Sequence, residues 1–241
     1  MDLRDKHALV TGGGRGIGLA VARALKARGA NVSIVSRSAP DTGDGFYRVA
    51  ADVTDESAVR RAFDDCRKAN GPIAILVNNS GIAESAPLKR TDKAMWDRIL
   101  GTNLTGTYLC TRAALDDMLA AQWGRIVNIA SIAGLYGAPY IAAYSASKHG
   151  VMGLTRALSG ELQGSGVTVN AVCPGYTESD MMRQAIDNIV KRTGMTFEQA
   201  RGELAKTNPG GRIVSAEEVA DVVVSICEGT QTGREVVLPA P

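Results

Sequence analysis

Short apolar runs rich in β-branched residues recur along this chain, at residues 7–11, 31–35, 73–77, 125–129, 167–172 and 235–238. Between them lie longer stretches whose apolar residues repeat at helical spacing: 17–28, 56–68, 96–121, 142–163 and 216–227. Strands that are apolar without alternation are covered on both faces, and strand-helix-strand connections of this length cross over right-handed. The predicted fold is therefore α/β, a doubly wound, Rossmann-like parallel sheet. In such a sheet ligands sit beyond the carboxyl ends of the strands, so the residues that follow each strand carry the functional argument.

The chain has 241 residues and no Pro/Ser-rich or charged linker divides it, which predicts one domain spanning 1–241. With 45% hydrophobic and 22% charged residues it can fill a large core and keep a polar surface. The formal charge is only +2 and the charges are interspersed, so a nucleic-acid or membrane partner is not expected. The start, Met1 to Asp5, is charged and leads straight into a strand, unlike a signal peptide. Cys66, Cys110, Cys173 and Cys227 are too scattered for a metal knuckle or disulfide framework. They read as reduced core thiols, with the cytoplasm as the expected location and no metal site.

Directly after the first strand comes Thr11-Gly12-Gly13-Gly14-Arg15-Gly16-Ile17-Gly18, opening a helix. Glycines let the backbone turn tightly and approach a pyrophosphate, whose charge meets free N–H groups at the helix start. The spacing, Gly12-x3-Gly16-x-Gly18, departs from the usual dinucleotide G-x-G-x-x-G. Where an NAD site would carry an acid for the ribose 2′-hydroxyl, the second strand runs into Ser36-Arg37. Arg37, with Arg15 from the glycine loop, can instead bond a 2′-phosphate, so NADP(H) is expected over NAD(H).

Tyr144 and Lys148 stand four apart on a helix, so both side chains rise from one face. A phenol titrates near 10, and a neighbouring ammonium is expected to lower that value. Tyr144 then becomes a credible proton donor to a carbonyl, or base toward an alcohol. His7 and His149 are read as structural: one opens a strand, the other points away from Tyr144 on its helix.

Together with Asn78-Asn79-Ser80-Gly81, Asn103, Ser131, Tyr-Ser-Ala-Ser-Lys at 144–148 and Pro174-Gly175, the glycine loop makes the whole chain resemble the short-chain dehydrogenase/reductase family. The resemblance implies that Ser131 holds and polarises the substrate oxygen, that Tyr144 transfers the proton, and that Lys148 also binds the nicotinamide ribose. Asn103 then holds a water linking Lys148 to solvent. By the same resemblance Asp52 and Val53 contact adenine, Asn79 and Gly81 line the middle of the cofactor, and Pro174, Gly175, Thr177 and Ser179 meet the nicotinamide. Ser179 stands where the family usually has Thr, and Ser80 where it usually has Ala.

Within the family the chain most resembles 3-oxoacyl-thioester reductases, in Cys173-Pro174-Gly175-Tyr176-Thr177-Glu178-Ser179-Asp180-Met181 and Pro209-x2-Arg212. The expected activity is NADP(H)-dependent interconversion of a ketone and a secondary alcohol, with a small carbonyl or alcohol as substrate. Dehydrogenation of a small cyclic or aliphatic alcohol is the alternative, and a non-catalytic NADP(H)-binding regulator another. Residues 180–208 are expected to form a lid of two helices, 180–191 and 196–206, broken at Gly194. The segments 216–227 and 235–238 resemble the family's subunit surface, which implies a homodimer or homotetramer.

Overall fold

The computed structural model describes residues 2–38 and 43–239; Met1, 39–42 and 240–241, which the single-domain expectation also spans, lie outside the described residues. Seven parallel strands form one sheet in the order β3-β2-β1-β4-β5-β6-β7. They are β1 (His7–Thr11), β2 (Asn31–Ser36), β3 (Tyr47–Ala50), β4 (Ile73–Asn78), β5 (Gly124–Ile129), β6 (Val167–Pro174) and β7 (Glu235–Leu238). The order reverses between β1 and β4, the crevice where a doubly wound sheet receives its ligand.

Successive strand residues feed opposite cores. Ala8, Val10, Ile34, Val77 and Val127 pack under α1 (Gly16–Ala27) and α8 (Ala216–Glu228) with Val21, Leu25, Val219 and Val223. Leu9, Val35, Leu76, Ile126 and Val169 face the other way, toward Phe63 of α2 (Glu56–Asn70) and Leu109, Ala114 and Met118 of α4 (Gly106–Ala120). The helix starts are fixed locally: Asp55 accepts from Ser57 N and Ala58 N at the start of α2, and Ser215 and Glu218 form a capping box on α8.

Two elements differ from the sequence expectation. β3 is absent from the six apolar runs because it is a short edge strand, none of whose residues is buried. The single helix expected over 96–121 is three pieces: α3 (Lys93–Leu100), a π-turn at Gly101–Thr105, and α4. The extra residue per turn rotates Asn103 inward, where it is buried.

The helix α5 (Ala142–Glu161) joins β5 to β6, and residues after β6 form α6 (Asp180–Thr193) and α7 (Phe197–Thr207). Gly194 ends α6 in the left-handed region at φ 74°, and a capping box of Thr196 and Gln199 starts α7, as the break at Gly194 predicts. Among the described residues, no helix is long and apolar enough to cross a membrane and no cluster of potential metal ligands occurs.

Candidate active site

The carboxyl ends of β1 and β4 are tied together before any ligand is considered. Thr11 Oγ1 accepts from Asn79 N at 3.0 Å and Ser80 N at 3.1 Å, while Asn79 Nδ2 donates to Thr11 O and Gly12 O, both at 3.1 Å. Gly12 sits at φ 64°, and a Cβ on Gly18 would lie 2.4 Å from both Asn79 Nδ2 and Gly12 O. A side chain at Gly18 would collide with the bonds that shape the loop. Arg15 precedes α1 without capping it through its side chain, so the first N–H groups of that helix face the crevice. Ile17, in the first turn of α1, packs against the core beneath.

A cleft of about 310 Å³ opens there, lined by Arg15, Arg37, Gly81, Glu84, Asp180 and Gln184 among others. Arg37 is exposed at the end of β2 and makes no ion pair among the described residues. Arg15 Nη1 bonds Asp180 Oδ2 at 2.9 Å. Ser36 Oγ donates to Ser38 O. Asp52 is exposed after β3 and accepts from Thr54, and Val53 is buried against Gly106. A glycine-rich loop and an open helix start suit the diphosphate of a dinucleotide.

Deeper in, Ser131, Tyr144 and Lys148 converge. Lys148 is buried, its Nζ donating to Ile129 O at 2.8 Å and lying 5.8 Å from the Tyr144 ring centroid. Ser131 follows β5; its Oγ accepts from Ala133 N at 3.1 Å, and its hydroxyl is hydrogen-bonded to the Tyr144 side chain. Tyr144 is half-buried, packed against the cluster of Met95, Ile99 and Ala143. The buried Asn103 side chain bridges two elements: Oδ1 accepts from Ile82 N at 2.9 Å, and Nδ2 donates to Ile82 O at 2.9 Å and Ser147 Oγ at 3.0 Å. A Cβ on Gly81 would stand 3.4 Å from Asn103 Oδ1 and 3.7 Å from Lys148 Nζ, which places that glycine against both side chains.

The electrostatics correct one expectation. Burial pushes the Tyr144 phenol above its ordinary value; the Ser131 hydrogen bond pulls it down, and the nearby Tyr176 pushes it further up. The same burial lowers the Lys148 ammonium to about 8. Lys148 is not among the groups that lower the phenol, and desolvation disfavours both charged forms. Each group is thereby moved toward the form that is neutral, with Tyr144 holding its proton.

After β6, Gly175 N donates to Leu238 O, and Thr177 and Ser179 turn their hydroxyls onto Gly175 O and Thr177 O. Ser179 also caps α6 by accepting from Met182 N, so both hydroxyls expected to meet the nicotinamide already shape the loop. Asn208 was not singled out by the sequence. Buried at the foot of α7, it accepts from Tyr176 N at 2.7 Å and donates to Tyr176 O at 2.9 Å and Arg212 O at 2.7 Å. A Cβ on Gly175 would fall 2.3 Å from its Oδ1, so Gly175 and Asn208 fit only each other. His149 points back onto its own helix, donating from Nδ1 to Ser145 O, away from this site.

A protein-family model described as short chain dehydrogenase matches residues 6–189. The 3-oxoacyl-(acyl-carrier-protein) reductase MabA of Mycobacterium avium is 36% identical over 235 residues, covering 95% of this chain and 91% of the relative. The 2-(S)-hydroxypropyl-CoM dehydrogenase 3 of Xanthobacter autotrophicus is 39% identical over 232 residues, covering 92% and 89%. Among solved structures, a variant of actinorhodin polyketide ketoreductase with NADPH superposes with a TM-score of 0.90 at 32% identity, covering 97% of this chain and 95% of that one. The sheet order, the glycine loop and the Ser131–Tyr144–Lys148 group thus belong to a member of the short-chain dehydrogenase/reductase family, an NAD(P)-dependent oxidoreductase of keto and alcohol groups.

Proposed function

We propose that this enzyme prefers NADP(H) and reduces a 3-oxoacyl thioester, with Ser131, Tyr144 and Lys148 as its catalytic residues and Asn103 behind them. The observation that carries the cofactor reading is the pair Arg15 and Arg37 on one cleft, at the end of a β2 that supplies no acid. Two guanidiniums there suit a 2′-phosphate. The residues Gly12, Gly16, Ile17, Gly18, Asn79 and Gly81 would hold the diphosphate and the middle of the cofactor, Ser36, Asp52 and Val53 its adenosine, and Pro174, Gly175, Thr177 and Ser179 its nicotinamide. When bound, the nicotinamide supplies a hydride to the carbonyl carbon.

The protein's own part is the proton. Ser131 bonds both Tyr144 and, in this reading, the substrate oxygen, so it fixes that oxygen beside the phenol. Burial keeps the phenol protonated, ready to give its proton to the oxygen as the carbon is reduced. The phenolate left behind faces Lys148, whose anchorage on Ile129 O keeps the ammonium at that spot. In the oxidative direction the same proton moves the other way.

The helices α6 and α7 enclose a small core of Met182, Ile186, Ala200 and Leu204 over the cleft, and in this reading they close as a lid that excludes water. Arg201 and Lys206 are held by Glu178 and Glu203, while Arg183, Lys191 and Arg192 make no ion pair among the described residues and remain for a thioester carrier's phosphates. The dehydrogenase among the relatives supports the second reading, a small secondary alcohol. The half-buried strand β7 and helix α8 suit a dimer or tetramer contact, and four buried thiols suit a reducing compartment such as the cytoplasm.

The deciding experiment follows cofactor oxidation with a panel of ketones, NADPH and NADH in parallel, on the wild type and Arg37→Ala. Preference for NADPH, weakened by Arg37→Ala with little change for NADH, is expected; equal losses for both overturn the cofactor reading. A 3-oxoacyl coenzyme A thioester should outpace the matching simple ester, and neutralising Lys191 and Arg192 should narrow that gap.

A further inference from the structure

The cleft contains charges of both signs, and their pairing is uneven. Glu84 is fully engaged, since Arg98 grips it through Nε and Nη2 at 3.0 Å. Asp180 is engaged by one group alone among the described residues, Arg15 at 2.9 Å. The two come from opposite walls, 165 positions apart in sequence: Arg15 from the glycine loop, Asp180 from the first turn of α6. Asp180 is also held in place, because Ser179 caps its helix and acid is favoured at that end of the dipole. Both side chains are exposed, at 77% and 61%, so the pair is weak and readily exchanged.

From this geometry we infer that Asp180 is a specificity-determining residue that competes with the cofactor's 2′-phosphate for Arg15, and so reduces the enzyme's discrimination for NADP(H) over NAD(H). The inference rests on the NADP(H) reading above. A dianionic phosphate displaces the carboxylate because it offers Arg15 more charge and more acceptor oxygens for the guanidinium fork. A cofactor without that phosphate leaves the pair in place and gains nothing when it is removed. Arg15 therefore starts paired with Asp180 for either cofactor and leaves that pair only for NADPH, so Asp180 taxes NADPH binding alone.

The test is equilibrium binding of NADPH and of NADH, read by cofactor fluorescence, to the wild type, Asp180→Asn, Arg15→Ala, Arg37→Ala and the double variant of Asp180 and Arg15. Asp180→Asn should tighten NADPH roughly two- to fivefold, the scale of one exposed ion pair, and leave NADH within about 1.5-fold. In the Arg15→Ala background the same substitution should have no effect on NADPH. An unchanged or weakened NADPH affinity in Asp180→Asn overturns the inference. So does tightening that persists without Arg15, since the carboxylate would then act by plain repulsion. If instead neither Arg15→Ala nor Arg37→Ala alters NADPH binding, the NADP(H) reading itself has failed and takes the inference with it.

Discussion

At the amino edge of the sheet two charged groups, Arg125 and Asp117, are engaged by the protein itself. Arg125 donates through Nε to Cys227 O and Gly229 O and through Nη1 to Gly124 O and Gly166 O, its guanidinium stacked 4.4 Å from the Trp123 ring centroid. Asp117 accepts from Arg67 Nε at 2.7 Å and from Ile73 N at 2.9 Å, tying α4 to α2 and to the first residue of β4. At the carboxyl edge Lys148 has one backbone acceptor, Tyr144 one serine, and Arg37 no ion pair among the described residues. One sheet thus bears two kinds of polar cluster. Groups whose hydrogen bonds are filled by the protein hold the fold; groups left short of partners are available to a ligand.

The comparison predicts that substitutions at the two edges separate activity from stability, and the largest effect is at the carboxyl edge. Tyr144→Phe removes the transferable proton and keeps the ring against the Met95, Ile99 and Ala143 cluster. Turnover should fall roughly 10²–10⁴-fold, with cofactor affinity and melting temperature nearly unchanged. Substantial residual turnover, measured at saturating cofactor, would move the acid/base role to another group. Next in size is Asp117→Ala at the amino edge, which strands Ile73 N–H and leaves Arg67 only Asp64 and Ala113 O. Stability should fall by about 1–3 kcal/mol, or several degrees in melting temperature, while kcat per folded molecule holds. A loss of kcat without a loss of stability would break the division between the edges.

The same division governed what the sequence made legible. Strand-helix alternation placed six of the seven strands, because two-sided burial writes itself as continuous apolar runs; β3, exposed at the edge, leaves no such trace. The glycine loop, Ser131, Tyr144 and Lys148 lie just after strands or share a helix face, where spacing alone predicts proximity. The π-turn that turns Asn103 inward is invisible to a 3.6-residue period, and the family resemblance supplied that residue instead. Asn208 could not be found by either route: its meaning arises from a glycine 33 positions earlier that leaves room for it. The phenol's direction was misjudged because a sequence shows the neighbouring ammonium and not the burial that acts on both.

The smallest expected effect lies back at the amino edge, on His7. Its Nδ1 is 2.6 Å from Gly71 O, which can only accept, so the proton sits on Nδ1. Nε2, 2.8 Å from Ser33 Oγ, must then accept from that hydroxyl, which itself accepts from Asn70 Nδ2 at 2.9 Å. A second proton on Nε2 would face a hydroxyl already committed as donor, in a buried site. Burial accordingly lowers the His7 value below 6.5, against the pull of the Gly71 bond. The unfolded chain therefore takes up a proton as pH falls through about 6.5 while the folded protein does not, and stability drops with falling pH until the lower folded value is reached. Above about 6.5 both states are neutral at this residue and the effect vanishes. One proton limits the loss to about 1.4 kcal/mol per pH unit. Melting temperatures between pH 7.5 and 5.5 should show the decline, and His7→Gln, which keeps one donor and one acceptor but cannot titrate, should flatten it. A wild-type curve already flat across that range, or an equal slope in His7→Gln, would show that the amino edge tolerates the charge after all.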